Sequence, residues 1–190
     1  EGQELGTSAY FRTLLTFTGH KELESVETDH ERLDLLGGPR SLAHYPMGWA
    51  MASNTPFRLY KTNTHQGGQQ VPLIISWPDK LRDQNTIRTQ YQHVTDLLPT
   101  ICELVGIEIP EEKDGEVLPP PAGHSFAESL NNPEVTSTHT EQYYEMVGHR
   151  GFYAEGWSAV TIRKPQTPFS EEKWELHNLS KDPTEIRDIS

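Results

Sequence analysis

The chain has 190 residues, room for one domain or a domain with a small appendage. Its hydrophobic share is 34%, a thin supply for a core of this length, so part of its apolar surface is expected to be covered by something else. A net charge of -12, with no run of lysine and arginine able to track a phosphate backbone, argues against nucleic acid, and no stretch approaches the ~18 apolar residues needed to cross a bilayer.

The opening residues, "EGQELGTSAYF", resemble neither an initiator region nor a signal peptide, and they read as the interior of a longer chain. Any targeting signal would then lie upstream, which leaves the compartment open. The single cysteine, Cys102, excludes an intrachain disulfide. "HERLDLL" has the spacing of a short helix, closed by Gly37, Gly38 and Pro39. "AHYPMGWAMASNTPFRLYK", rich in aromatic and small residues, reads as an ordered loop packed on a domain surface.

"VPLIISWP" is short, apolar, rich in β-branched residues and bracketed by breakers, the pattern of a buried strand. In "TQYQHVTDLLPTICELVGI", Val94, Leu97, Leu98, Ile101, Leu104 and Val105 recur at steps of three and four, one face of a helix. Thr95 or Asp96 can cap it, Pro99 falls in its first turn, and Gly106 ends it. Residues 109–137, rich in proline and acid, read as a connecting segment with a helical turn at "HSFAESL". Four aromatic and β-branched runs follow, "EQYYEMV", "HRGFYAE", "GWSAVTIR" and "KWELHNL", separated for the most part by glycine turns. They predict a small antiparallel sheet over 138–190, with Trp157 and Trp174 in its core, after an α/β part over 1–108.

Generic chemical motifs are absent: no His-x-x-x-His, no Cys-x-x-Cys, no Gly-x-Ser-x-Gly and no phosphate-binding Gly-x-x-x-x-Gly-Lys. Lys61 stands out. A loop lysine is ordinarily a solvated surface residue, but this one follows an unusually aromatic run and precedes Gly67-Gly68, which permit close backbone approach or positive φ. Held beside a buried strand, it would be a point charge for a tetrahedral oxyanion. At ~4 Å and an effective dielectric near 20 that attraction is about 4 kcal/mol before desolvation.

The blocks "NTPFRLYKTNTHQGGQQVPLIISWP", "QYQHVTDLLPTICELVGIEIP", "QYYEMVGHRGFYAEGWSAVT" and "WELHNLSKDPTEIRDIS", in that order, resemble the C-terminal part of a bacterial arylsulfatase. The resemblance runs from about Gly38 to Ser190. It implies the end of a large mixed α/β sheet of the alkaline-phosphatase-like type, followed by a small antiparallel subdomain. It further implies sulfate-ester hydrolysis by a formylglycine nucleophile beside a divalent calcium, the charge on the sulfuryl oxygens being stabilised by metal and cations. The family's sulfate-binding lysine, five positions before Glu/Gln-Gly-Gly, corresponds to Lys61, ahead of Gln66-Gly67-Gly68. Gln66 stands where many members carry glutamate.

Two departures bear on activity. Cys102 lies in "TICELVG", without the proline and arginine of the nucleophile motif Cys/Ser-x-Pro-x-Arg, and reads as a core residue; no Asp-Asn-Gly metal motif is present. The nucleophile and the calcium ligands are therefore expected upstream of residue 1, and these 190 residues alone are expected to be inactive. His149, in "GHRGFY", and His65 are further candidates for the substrate pocket, each equally readable as a packing residue; His93, near Asp96, reads as a structural hydrogen-bond partner. The partner expected is a small sulfate ester, with no nucleic acid or membrane. A phosphonate or phosphate ester hydrolase on the same scaffold, or a non-catalytic truncated domain, are the alternatives.

Overall fold

Four strands, the first three joined by two-residue turns, make a continuous sheet. The structure is a computed structural model that describes residues 30–31, 33–35, 47–82, 85–164 and 166–190. Strands β3 (Glu141–Met146), β4 (His149–Ala154), β5 (Trp157–Thr161) and β6 (Glu175–Asn178) form an antiparallel sheet in sequence order. Its two tight turns are Val147-Gly148 and Glu155-Gly156, with both residues at positive φ in each (55° and 86°, 46° and 86°). That mirror-image turn matches the right-handed twist of the strands, and glycine at its second position takes the left-handed conformation without strain. The register sets Met146 opposite His149 and Ala154 opposite Trp157.

Between β5 and β6 the chain makes a longer excursion that folds back on Glu172. The Glu172 carboxylate accepts from Arg150 and from Arg163 (2.8 Å), and both guanidiniums lie over the Phe169 ring. Ionised guanidiniums forking onto one carboxylate are stronger than neutral hydrogen bonds, which holds the excursion against β4. Burial opposes the charge on Glu172, but the two arginines outweigh it and keep the carboxyl below its usual range. Trp157 and Trp174 are about two-fifths exposed, not core residues as the sequence predicts. Trp157 opens its strand at the sheet end, and Trp174 lies under Arg150.

The helical spacing is fulfilled by α3 (Leu97–Val105), preceded by a 3-10 turn at Val94–Asp96. Pro99 lies in its first turn, and Gly106, at φ 73°, ends it. Leu97 and Leu104 pack on a core of Leu81, Phe126 and Leu130 together with Trp77. Leu98, Ile101 and Val105 point the other way and are more than half exposed. The predicted single apolar face is thus two, one covered and one bare. Cys102 is half-buried.

Other expectations change with the structure. The run Val71–Trp77, predicted as a buried strand, pairs with no strand among the described residues, and Val71 and Ile74 are 77% and 89% exposed. A strand needs a neighbour to take up its N–H and C=O groups, and the described residues offer it none. Part of the presumed aromatic loop is a helix, α1 (Met47–Asn54). Its alanines and methionines favour a helix, and Pro46 and Pro56 bracket it instead of interrupting it. The short α2 (Gln66–Gln69) follows the lysine loop. Within the connecting segment, β1 (Glu112–Lys113) and β2 (Glu116–Val117) pair around Asp114-Gly115, a hairpin signal that the acidic composition masked. "HSFAESL" holds the expected turn at Ala127–Leu130. Of "HERLDLL", helical residues 30–31 and a 3-10 turn at Leu33–Leu35 are described, while residue 32, residues 36–39 and residues 1–29 lie outside the described residues.

Candidate functional site

The backbone around Lys61 is forced into an unusual path. Leu59 and Thr62 on either side both have positive φ, 63° and 79°. For residues with a β-carbon this region is disfavoured, most of all for the branched Thr62, and such strain persists only where the surroundings hold it. Lys61 itself is exposed, between buried Tyr60 and exposed Thr62.

What holds the loop is a set of side chains reaching it from three sides. Asn54, the last residue of α1, donates its amide to Leu59 O (2.8 Å) and to Gly67 O (2.7 Å). Thr64 donates its hydroxyl to Arg150 O on β4 (2.9 Å). Arg58 donates to the Glu175 carboxylate (2.8 Å) and to Glu185 O (2.6 Å). The Glu185 carboxylate is fully buried; it accepts from Gln66 N–H (2.7 Å), the first residue of α2, and from the Ser158 hydroxyl (2.9 Å). A carboxylate at a helix start satisfies a backbone donor that has no partner inside the helix.

The glycine pair serves close approach, not positive φ. A β-carbon on Gly67 would stand 2.2 Å from Arg58 O, and one on Gly68 would stand 2.0 Å from Asn63 O. The loop carrying Lys61 therefore folds directly back onto α2 with no room for a side chain. This packing places Lys61 at the outer turn of a rigid loop whose inner side rests on the small sheet.

His65 and His149 have different surroundings. His149 begins β4 and is half-buried; its Nδ1 accepts from Arg163 N–H (2.9 Å). It adjoins the loop only through its neighbours, since Arg150 O receives Thr64 and Gly151 packs on Thr64. His65 is fully buried and faces Glu175, with Nε2 3.6 Å from the carboxylate. Burial lowers its pKa from the usual histidine value, and Arg58 adds to that against the pull of Glu185 and Glu175.

A second buried anchor, Asp96, joins the helix to the sheet. Its carboxylate accepts from His93 N–H (2.6 Å), His124 N–H (2.8 Å) and His139 Nδ1 (2.8 Å). The expected partnership with His93 is real but runs through the backbone, because the His93 ring turns to Thr95. Burial opposes ionisation of Asp96, yet the three donors outweigh it and hold the carboxyl below its usual range. His139 also meets Gln142 Oε1 (3.0 Å), and Tyr91 stacks on Tyr153 at 3.7 Å nearby. Sequence reasoning missed His139, since nothing local marks a partner 43 residues from Asp96.

Among the described residues, one group of three side chains could hold a metal ion: His65, Glu175 and His177. Two ring nitrogens and one carboxylate do not suit calcium, a hard cation that takes six to eight oxygen ligands. The calcium implied by the resemblance therefore finds no fitting set of ligands among them.

Residues 58–190 match the family described as "N-sulphoglucosamine sulphohydrolase, C-terminal". An uncharacterized sulfatase of Schizosaccharomyces pombe is 28% identical over 160 residues, 83% of this chain and 28% of its own length. The Delta 4,5-hexuronate-2-O-sulfatase of Bacteroides thetaiotaomicron is 30% identical over 122 residues, 63% of this chain and 24% of its own. A solved structure from work on glycosaminoglycan metabolism by Bacteroides thetaiotaomicron covers 95% of this chain and 38% of that one, at 16% identity and a TM-score of 0.47. The chain spans about a quarter of the length of these curated relatives. With the family match extending over 58–190, the chain belongs to the sulfatase C-terminal family.

Proposed function

We propose that this chain is the C-terminal part of a sulfate-ester hydrolase and that Lys61 binds the sulfate group of its substrate. The observation that carries the reading is the loop itself: an exposed lysine between two left-handed non-glycine residues, in a chain of sulfatase C-terminal type. With the backbone on both sides of Lys61 already fixed, a sulfate has only the lysine side chain left to order, and its charge favours the transition state as the sulfuryl oxygens gain charge.

The formylglycine nucleophile and calcium belong, on this reading, to residues outside these 190, so the chain alone has no turnover. When bound, calcium would supply charge stabilisation at the sulfuryl oxygens. His65 is proposed to act from beneath the loop, and His149 to adjoin the pocket from β4. Aryl sulfates are the simplest substrates to try. The names of the matched family and of the hexuronate sulfatase point to sulfated sugars as the natural class.

The test is turnover by the full-length protein of a chromogenic aryl sulfate and of a 2-O-sulfated unsaturated disaccharide. Lys61→Ala is expected to lower kcat/KM by at least 100-fold, about 2.7 kcal/mol of transition-state stabilisation. Turnover left untouched by Lys61→Ala would remove Lys61 from the site, and absence of turnover of any sulfate ester would favour the non-catalytic reading.

A further inference from the structure

Behind the lysine loop, three side chains from two distant parts of the sequence converge in a buried space. His65, at the start of α2, and His177, on β6, are both fully buried, and Glu175 stands two residues before His177. Their potential donor atoms all lie within 4.8 Å of one another. His177 Nε2 is 3.3 Å from Glu175 Oε2, and His65 Nε2 is 3.6 Å from Glu175 Oε1.

The hydrogen bonding of these rings is incomplete. Among the described residues, neither nitrogen of His65 has a hydrogen-bond partner, and neither has His177 Nε2. His177 Nδ1 lies 3.0 Å from Arg187 O, an acceptor, so Nδ1 carries the ring proton and donates it. A neutral ring with its proton there leaves a lone pair on Nε2, 3.3 Å from Glu175 Oε2. Lone pairs that close repel, and buried polar atoms without partners are costly. A cation between them removes both penalties.

We propose that His65, Glu175 and His177 form a binding site for a divalent transition-metal ion, zinc foremost. Zinc takes histidine nitrogen and carboxylate oxygen at about 2.0–2.2 Å, so adjacent ligands of a tetrahedral site stand about 3.3–3.5 Å apart. His65 Nε2 stands 3.6 Å from Oε1 and His177 Nε2 3.3 Å from Oε2, close to that spacing on the two oxygens of one carboxylate, and a small shift of the carboxylate would bring one oxygen to both rings. The Arg187 carbonyl fixes the tautomer and orientation of His177, the outer support that ligating histidines usually have.

The local charge also accommodates a cation. Glu175 and buried Glu185 carry two negative charges against the one positive charge of Arg58, which grips Glu175 Oε2 at 2.8 Å. Arg58 competes for that oxygen and leaves Oε1 as the freer ligand. The ion would clamp the base of the lysine loop to the last strand of the sheet, a structural role separate from any calcium at the sulfate. The site stands whether or not the protein hydrolyses sulfate esters.

The experiment uses full-length protein stripped with a chelator and then titrated with zinc alone and, separately, with cobalt alone. Expected are uptake of one zinc equivalent assignable to this site, a raised Tm, and a visible cobalt absorption of tetrahedral intensity. His177→Gln and Glu175→Gln should each weaken that uptake by at least tenfold and abolish the cobalt band, while circular dichroism of the stripped variants matches the parent. Calcium at the same concentration should not compete. If His177→Gln fails to fold, Glu175→Gln, a quarter exposed in the parent, decides the matter. No zinc uptake, or uptake and a cobalt band unchanged in Glu175→Gln, overturns the site and leaves a buried histidine–carboxylate cluster only.

Discussion

Replacing Glu185 tests whether the C-terminal segment holds the lysine loop in place. Glu185→Ala removes the acceptor of Gln66 N–H (2.7 Å) and of the Ser158 hydroxyl (2.9 Å), leaving both without it in a fully buried place. Hydrogen bonds to a charged group contribute about 1.5–3 kcal/mol each, so the two together predict a loss of about 3–6 kcal/mol. Glu185→Gln should be far milder. Its carbonyl can take Gln66 N–H while its amide donates to Ser158, whose hydroxyl turns to accept. The neutral amide also avoids burying a charge, and the net loss should be about 1 kcal/mol. Arg58 is unaffected in either variant, since it binds the backbone oxygen of residue 185. Urea unfolding of the full-length protein, followed by tryptophan fluorescence, gives the two values. Hydrogen exchange at Gln66 and Gly67 should quicken in the alanine variant alone. An alanine variant within about 1 kcal/mol of the parent, or a glutamine variant equally damaged, would refute the assignment of Glu185 as the anchor of α2.

Asp96→Asn keeps one carbonyl oxygen for His139 and His124 but turns an amide toward His93 N–H, and should cost about 2 kcal/mol; a thermal midpoint equal to the parent's would remove Asp96 as the link between α3 and the sheet. His65 and His93 are both held below the histidine value of 6.5, by burial first, so the unfolded chain takes up their protons earlier than the native one. Their contribution to stability is whole above pH 6.5 and is lost as pH falls from there toward their native values. The urea midpoint should accordingly drop between about pH 7.5 and pH 5.5, and a flat profile would contradict the burial of these rings. Val147 is a branched residue at φ 55° in an exposed turn, so Val147→Asn should raise stability by about 1 kcal/mol, and a lower melting temperature would count against the left-handed turn.

The sequence carries some of this organisation openly and hides the rest for a physical reason. The four strands were legible because alternation and glycine turns are local signals, and α3 was legible because its spacing repeats every three or four residues. Which side of α3 is buried was not, since Leu97 and Ile101 are equally apolar and only tertiary packing chooses between them. Lys61 and the glycine pair drew notice as a local oddity. Their supports gave no such signal: Arg58 reaches Glu175 across 117 residues and Gln66 reaches Glu185 across 119. Those contacts, with Thr64 to Arg150 and Asp96 to His139, all bridge the α/β part and the small sheet. Each involves a charged or buried polar group, whose partner cannot be withdrawn without leaving an uncompensated group behind. The small sheet is thus the rear wall of the lysine loop rather than an appendage, and a change on β6 can move Lys61 without touching it. The bare residues of α3 and the unpaired run from Val71 to Ile74 are apolar surface that no described residue covers. On the reading proposed above, with these residues as the C-terminal part of a sulfate-ester hydrolase, such a surface is where the rest of the protein would pack.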